Sequence, residues 1–416
     1  MRRGTRLWAA KAAAIVLGLG FTGSASAQVS NPDLTMAIAP GSAVMRLGGR
    51  IAEWYGVSGF TGQSYKGRKY SGSGLAGYIR LYPGFDGVAA NGLHYGAQAE
   101  IHENTASNST AGAMGGTLYI LRDFGYLGLP QLGLLRFGQQ EGALYLFDTG
   151  RFDSGPDGFD DGAWSGDVEH DFVKAAARAI YPWTWSRTIR TTDKIDYISP
   201  TWSGVSFGLS FEPNQTAEND APAVTSTTTS TDLRRNTLEL GGRYKAVFDG
   251  IGLNVSGGYM TAGAVAYNTP SNTQPYQGLS VWSFGAELSD AGFTLGANTK
   301  FGRMNGQFEP DYKGGATAVG WLAGGAYTIA KFSFGGSYFV YDSQGDWSSP
   351  ATEGTRRETG LAAGASYGLM PGVKLFASYF NATRHQDGYN FLAGEAGSSD
   401  NDTMAQVFAV GTWLYW

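Results

Sequence analysis

The chain has 416 residues, a formal net charge of −5, 63 glycines, 23 phenylalanines, 23 tyrosines, 11 tryptophans and no cysteine. The absence of cysteine excludes a disulfide scaffold and thiol chemistry, and the acidic balance argues against nucleic acid as a partner. The length suits two or three soluble domains, yet no linker or composition break separates any.

Arg2, Arg3, Arg6 and Lys11 form a basic opening. Residues 12–21 are apolar but too few to cross a bilayer as a helix, and Ala25-Ser26-Ala27 is a small-x-small cleavage site. This predicts an export signal peptide over 1–27 and one mature domain over 28–416. The 27 residues carry four of the positive charges, so 389 residues remain at a charge of −9.

Period-two runs then recur to the end of the sequence. They lie at about 43–54, 74–82, 93–102, 115–122, 133–140, 190–198, 204–212, 235–247, 252–261, 280–288, 293–301, 317–328, 332–340, 358–367, 373–382 and 404–416. In the first, Met45, Leu47 and Ile51 oppose Arg46, Arg50 and Ala52. In the seventh, Val205, Phe207, Leu209 and Phe211 oppose Ser206, Gly208 and Ser210. The connections alternate in length: 56–72, 103–113, 141–189, 213–234, 262–279, 303–316, 342–353 and 383–401 are long and polar, whereas 199–203, 248–250, 289–292 and 368–372 are tight turns. Long loops on one side and short turns on the other match extracellular loops and periplasmic turns. The last run ends on Trp416 with Leu414, Val410, Phe408 and Met404 on one face, a strand end that a soluble sheet would leave bare. The fold class predicted is all-β, a 16-stranded antiparallel transmembrane barrel.

Three pattern matches carry no chemistry in this context. Gly72-Ser-Gly-Leu-Ala-Gly77 spells a dinucleotide-binding motif but opens no helix, and Gly204-Val-Ser-Phe-Gly208 and Gly364-Ala-Ser-Tyr-Gly368 spell nucleophile elbows inside strand alternation. His94, His102, His170 and His385 lack metal-ligand spacing. No catalytic residue and no metal ligand is assigned.

Several stretches resemble the general, non-specific Gram-negative outer-membrane porin family. Residues 194–211, Lys-Ile-Asp-Tyr-Ile-Ser-Pro-Thr-Trp-Ser-Gly-Val-Ser-Phe-Gly-Leu-Ser-Phe, resemble its strand, Ser-Pro turn and Ser-Gly-x-Ser-Phe-Gly strand. Leu118 to Gly125 followed by Gly133 to Gln140 resembles the hairpin before its long third loop. Trp416 stands where the family usually has Phe, which implies the assembly signal read by the barrel assembly machinery. One departure is Gly138-Gln139-Gln140, where the family often has Gly-Arg-Gln.

The resemblance implies a homotrimer embedded in outer-membrane lipid, with the third loop folded into the lumen. Here the third connection, 141–189, is also the longest and holds Asp148, Asp153, Asp157, Asp160 and Asp161, then a predicted helix over 167–180. Strand parity places Arg46, Arg50, Arg80, Arg136, Arg190 and Lys194 on the face away from lipid. Acids on the loop across from this basic wall would set a transverse field in a water-filled constriction. A loop solvated outside the barrel, or a calcium site among its aspartates, remain as other readings. The expected function is passive diffusion of small hydrophilic solutes and ions, without cofactor. The alternative is a sugar- or anion-selective channel, with Tyr181, Trp183 and Trp185 as a possible aromatic track. A barrel hydrolase is a third reading, for which no Ser/His or Asp/His set is present.

Overall fold

The computed structural model describes residues 34, 37–105, 116–151, 172–173, 191–215, 224–229, 231–269, 275–306, 309–345 and 354–416. Its centre is one closed antiparallel barrel of sixteen strands. They are β1 (Ser42–Phe60), β2 (Ser73–Val88), β3 (His94–Thr105), β4 (Gly116–Leu129), β5 (Gly133–Gln140), β6 (Thr192–Ile198), β7 (Val205–Asn214), β8 (Arg234–Phe248), β9 (Ile251–Ala264), β10 (Leu279–Asp290), β11 (Phe293–Arg303), β12 (Ala318–Ile329), β13 (Phe332–Ser343), β14 (Arg356–Met370), β15 (Val373–His385) and β16 (Asp402–Tyr415). Each of the sixteen runs read from the sequence falls on one of them.

Closure comes from β1 pairing with β16, from Arg50 opposite Tyr415 to Phe60 opposite Ala405. No barrel strand is left as an edge, so the wall's backbone groups pair from strand to strand, apart from local interruptions such as that at Pro83. Beyond the strand, Trp416 and Gly49 exchange two backbone hydrogen bonds, each 3.1 Å. The Trp416 ring lies over Gly49 on the outer face, in space that a Cβ would occupy.

Alternation sorts the side chains by face. Outward positions hold large exposed apolar residues all round the barrel, among them Met45, Leu47, Leu75, Leu135, Phe211, Leu295, Phe334 and Leu414. A soluble monomer does not carry a belt of that extent. Aromatic pairs gather near the short turns, as in Phe293 with Tyr327 at 4.1 Å and Phe332 with Tyr367 at 4.5 Å. This is the girdle expected at a membrane interface. The hairpin turns Asp249-Gly250 and Ala291-Gly292 have positive φ at both residues (51° and 88°, 45° and 87°). That is the type I′ geometry whose twist matches paired strands.

Several strands outrun the sequence reading. β2 continues through Pro83, paired with Leu47, to Val88. β4 continues through Asp123 to Leu129. A strand with partners on both sides tolerates the one ladder donor that Pro83 lacks. Three two-residue pairings, Ser64–Tyr65 with Arg68–Lys69 among them, decorate the long connections.

Candidate functional site

The barrel's inner face is the site. Arg46 and Arg50 on β1, Arg80 on β2, Arg136 on β5 and Lys194 on β6 share the inward parity, opposite exposed Met45, Leu47, Leu75, Leu135 and Ile195. Arg190 lies outside the described residues.

Neighbouring strands supply carboxylates to these cations. Arg46 Nε donates to Asp86 at 2.5 Å. Arg80 lies 4.0 Å from Glu100, and Arg122 pairs with the same Glu100. Arg122 Nε also donates to Glu141 at 2.6 Å. Arg136 lies 3.6 Å from Asp196 and donates to Gln140 at 2.5 Å. Lys194 sits 3.7 Å from Glu212 and 3.5 Å from Glu239, while Arg234 holds Glu212 at 2.7 Å. Charges out of bulk water need such partners, and their fields cancel locally. These six cations, Arg46, Arg80, Arg122, Arg136, Lys194 and Arg234, are therefore held by acids of the wall and of the loop root, rather than forming a row of bare charges.

Arg122, Arg234 and the carboxylates were not among the sequence candidates. Glu100 is the hub between Arg80, Arg122 and His102, a role that nothing local in the sequence marks. Gln139, where the family often has Arg, donates to the Leu121 carbonyl at 2.9 Å. Buried Arg122 on the adjacent strand supplies a guanidinium to this wall instead.

The root of the third connection lies against the inner face of β7–β11. A single helical turn, α1 (Ala143–Leu146), is seated where Ala143 N–H donates to Ser210 (2.7 Å) and Leu144 N–H donates to Glu239 (3.0 Å). Gly208, Gly241 and Gly258 leave the space its side chains and backbone fill. Asn254 and Asn298 then donate to Thr149 at 2.7 and 2.8 Å. Asp148 accepts from Lys300 at 2.5 Å and from Asn298 at 2.7 Å. This carboxylate is thus spent on anchoring the loop root to the wall. Asp153, Asp157, Asp160, Asp161, the helix expected over 167–180, Tyr181, Trp183 and Trp185 lie outside the described residues. Of that connection, Phe172 and Val173 are also described. The Phe172 ring rests on Gly56 of β1, and Val173 is buried in the apolar inner cluster. Among the described residues, no group of three or more His, Asp or Glu stands close enough to hold a metal ion.

The inner wall from β12 round to β1 carries a large apolar cluster, beside polar groups such as Ser337, Ser378 and the Arg384–Glu358 pair. Leu322, Phe339, Ala362, Phe376, Phe380, Val407, Trp413 and Trp54 belong to one buried cluster. Phe376 stacks on Trp413 at 4.1 Å, and Trp54 meets Phe376 at 6.4 Å and Tyr78 at 5.6 Å. The glycine at 411 makes room for Trp54 and Phe376 beside it. Sequence alternation hid this surface, because an inward aromatic and an outward one look alike in a run apolar on both parities.

A closed sixteen-stranded barrel, apolar outside and charged over half its interior, defines a transmembrane β-barrel channel. The chain belongs to the Gram-negative porin family, whose model matches residues 12–386. OmpF of Salmonella typhi in complex with daunomycin shares the fold at 14% identity, over 89% of this chain and 97% of that one, with a TM-score of 0.57. OmpT of Vibrio cholerae does so at 14% identity over 90% and 98% (TM-score 0.53), and an anion-selective porin from Comamonas acidovorans at 12% over 90% and 100% (TM-score 0.52). A trimer form of the Vibrio OmpT is among the similar structures. A comparison with curated proteins found no match. Family and fold together place the protein in the outer membrane as a channel.

Proposed function

We propose that the channel is a passive, water-filled diffusion pore for small hydrophilic solutes and ions, with weak cation preference. The observation that carries this is the self-paired wall. When wall arginines are matched by Asp86, Glu100, Asp196, Glu212 and Glu239, they leave little net positive field. The third connection narrows the pore, and Asp153, Asp157, Asp160 and Asp161 supply the unbalanced charge. Support comes from its described parts, which meet the inner face at β7–β11 and again at Gly56. The preference stays small because water screens the acids, with a Debye length of about 10 Å at 0.1 M salt. The test is the reversal potential in a KCl gradient for wild type and for Asp157→Asn/Asp160→Asn/Asp161→Asn. The triple variant shifts toward anions, more at low salt than at high; no shift removes the acids from the pore.

We further propose a homotrimer, with the outer face of β16–β1–β2 as a contact surface. Glu53 points outward between Ile51 and Tyr55, opposite Thr412 and Gly77, and is exposed. A carboxylate on the lipid face of a barrel is unfavourable, and burial against polar groups of another subunit removes that cost. The trimer form of OmpT supports the same assembly for a chain of this fold.

A further inference from the structure

The outer wall of β5–β9 is hollowed by a groove of about 540 Å³. Leu135, Ile195, Leu209, Phe211, Leu238 and Leu240, all exposed and all on the lipid-facing parity, form its sides. Ser210 and Glu239 border it too, but their side chains turn inward to α1. The lining is thus chiefly hydrocarbon, and the volume falls in the range usual for ligand sites, about 300–1,000 Å³.

Two arginines stand at one end of this groove. Arg235 opens β8 after a long connection and Arg303 closes β11 before one, so both lie at the extracellular end of the wall. Arg235 is one step beyond groove-lining Leu238, past a bulge, and opposite Gly263. Its Cγ lies 3.7 Å from where a Cβ on Gly263 would sit, on the side away from buried Ala262, so the side chain is outward. Arg303 is exposed and shares the parity of outward Leu295 and Phe301. It stands in one register row with Ser280 and with groove-lining Thr261. Among the described residues, neither arginine makes an ion pair or a side-chain hydrogen bond. By contrast Arg357, outward at the same rim on β14, is held by Asp342 at 3.7 Å. Between the two arginines, Tyr259 packs on Trp282 at 4.5 Å and shares a 3.0 Å hydrogen bond with Ser280. An aromatic pair with a polar tip marks the level where hydrocarbon meets headgroups.

We propose that this groove binds an acyl chain of a phosphate-bearing outer-leaflet lipid, whose headgroup Arg235 and Arg303 hold. The two arginines are three strands apart, on the order of 15 Å at about 4.8 Å per strand, a span that fits a headgroup carrying two phosphates. Charge-assisted bonds hold the phosphates, and apolar area holds the chain. A hydrocarbon groove offers a hydrophilic solute nothing, and cations at a membrane surface attract anionic lipid. The groove also opens three strands beyond β2, clear of the surface assigned above to subunit contact.

The test is native mass spectrometry of the purified full chain, delipidated in detergent and then incubated with an acylated diglucosamine lipid bearing two phosphates. Wild type retains this lipid, retains its mono-phosphorylated form several-fold less, and retains phosphatidylethanolamine least. Arg235→Gln and Arg303→Gln each weaken retention about fivefold, the worth of one basic residue against an anionic headgroup. Arg357→Gln, which alters a paired arginine of the same rim, leaves retention unchanged. Leu240→Trp fills the groove and lowers retention, while heat-modifiable migration shows that each variant is folded. Equal retention of the three lipids, or arginine variants that retain lipid like wild type, overturns the site. A Leu240→Trp variant that keeps its lipid and loses its oligomer also overturns it, because a second copy of the chain then fills the groove.

Discussion

At the residue scale, the strongest sequence signal and its structural reason meet at Trp416. Period two placed this aromatic on the lipid face, and its ring settles over Gly49 while its backbone closes the β1–β16 seam. The glycine opposite was unreadable from sequence, since only the register of closure brings position 49 there. Deleting Trp416 removes two backbone bonds and the cap on that seam. We expect several-fold less heat-modifiable protein in the outer membrane and more degraded chain, measured on unheated and boiled gel samples. Wild-type amounts of folded protein from the deletion would end the case for Trp416 as an assembly signal. Parity alone gave Arg46, Arg50, Arg80, Arg136 and Lys194 an inward face, whereas Arg122 and Arg234 were missed. The acidic partners were not legible, because the Arg122–Glu141 and Lys300–Asp148 pairs join residues from different elements that no local pattern links.

At the element scale, strands and short turns were legible and loop structure was not. Alternation survives in any strand with one wet face and one apolar face, whereas a loop's conformation depends on the wall it meets. The turn α1 shows this: it exists because Ser210 and Glu239 accept its N–H groups, not because its sequence favours a helix. The connection after β11 carries a pH-dependent property. Burial, with Asp232 nearby, pushes Glu309 up to about 7 against the pull of Arg234, and burial pushes Asp311 up to about 6 although the Tyr312 N–H and Gln277 lower it. Both carboxyls favour the neutral form in the packed loop. In the opened loop they ionise near their ordinary values of 4.5 and 3.8. The packed loop is therefore most stable below about pH 4 and loses stability as pH rises toward 7. Amide exchange over 304–306 and 309–316, corrected for intrinsic rate, should be faster at pH 8 than at pH 5. Glu309→Gln/Asp311→Asn should flatten the difference. Equal protection at both pH values in wild type would contradict it.

At the scale of the whole molecule, closure and strand number were legible because sixteen runs separated by alternating long and short connections fit few other architectures. The two-faced lumen was not legible, since it arises from which inward positions of distant strands become neighbours. The outward Glu53 bears on assembly. Glu53→Lys should weaken the trimer, so that unheated samples migrate as monomer at a lower temperature than wild type, while barrel folding itself persists. A trimer of unchanged heat resistance would move the interface away from β1.

The central claim is an open, weakly charge-selective pore through a self-neutralised wall. Its most direct test is the current through single purified channels in planar bilayers under a KCl gradient. The account predicts steady, ohmic conductance with a reversal potential displaced slightly to the cation side, and a displacement that shrinks as salt rises. Absence of conductance, or strong anion selectivity that persists at high salt, would contradict it.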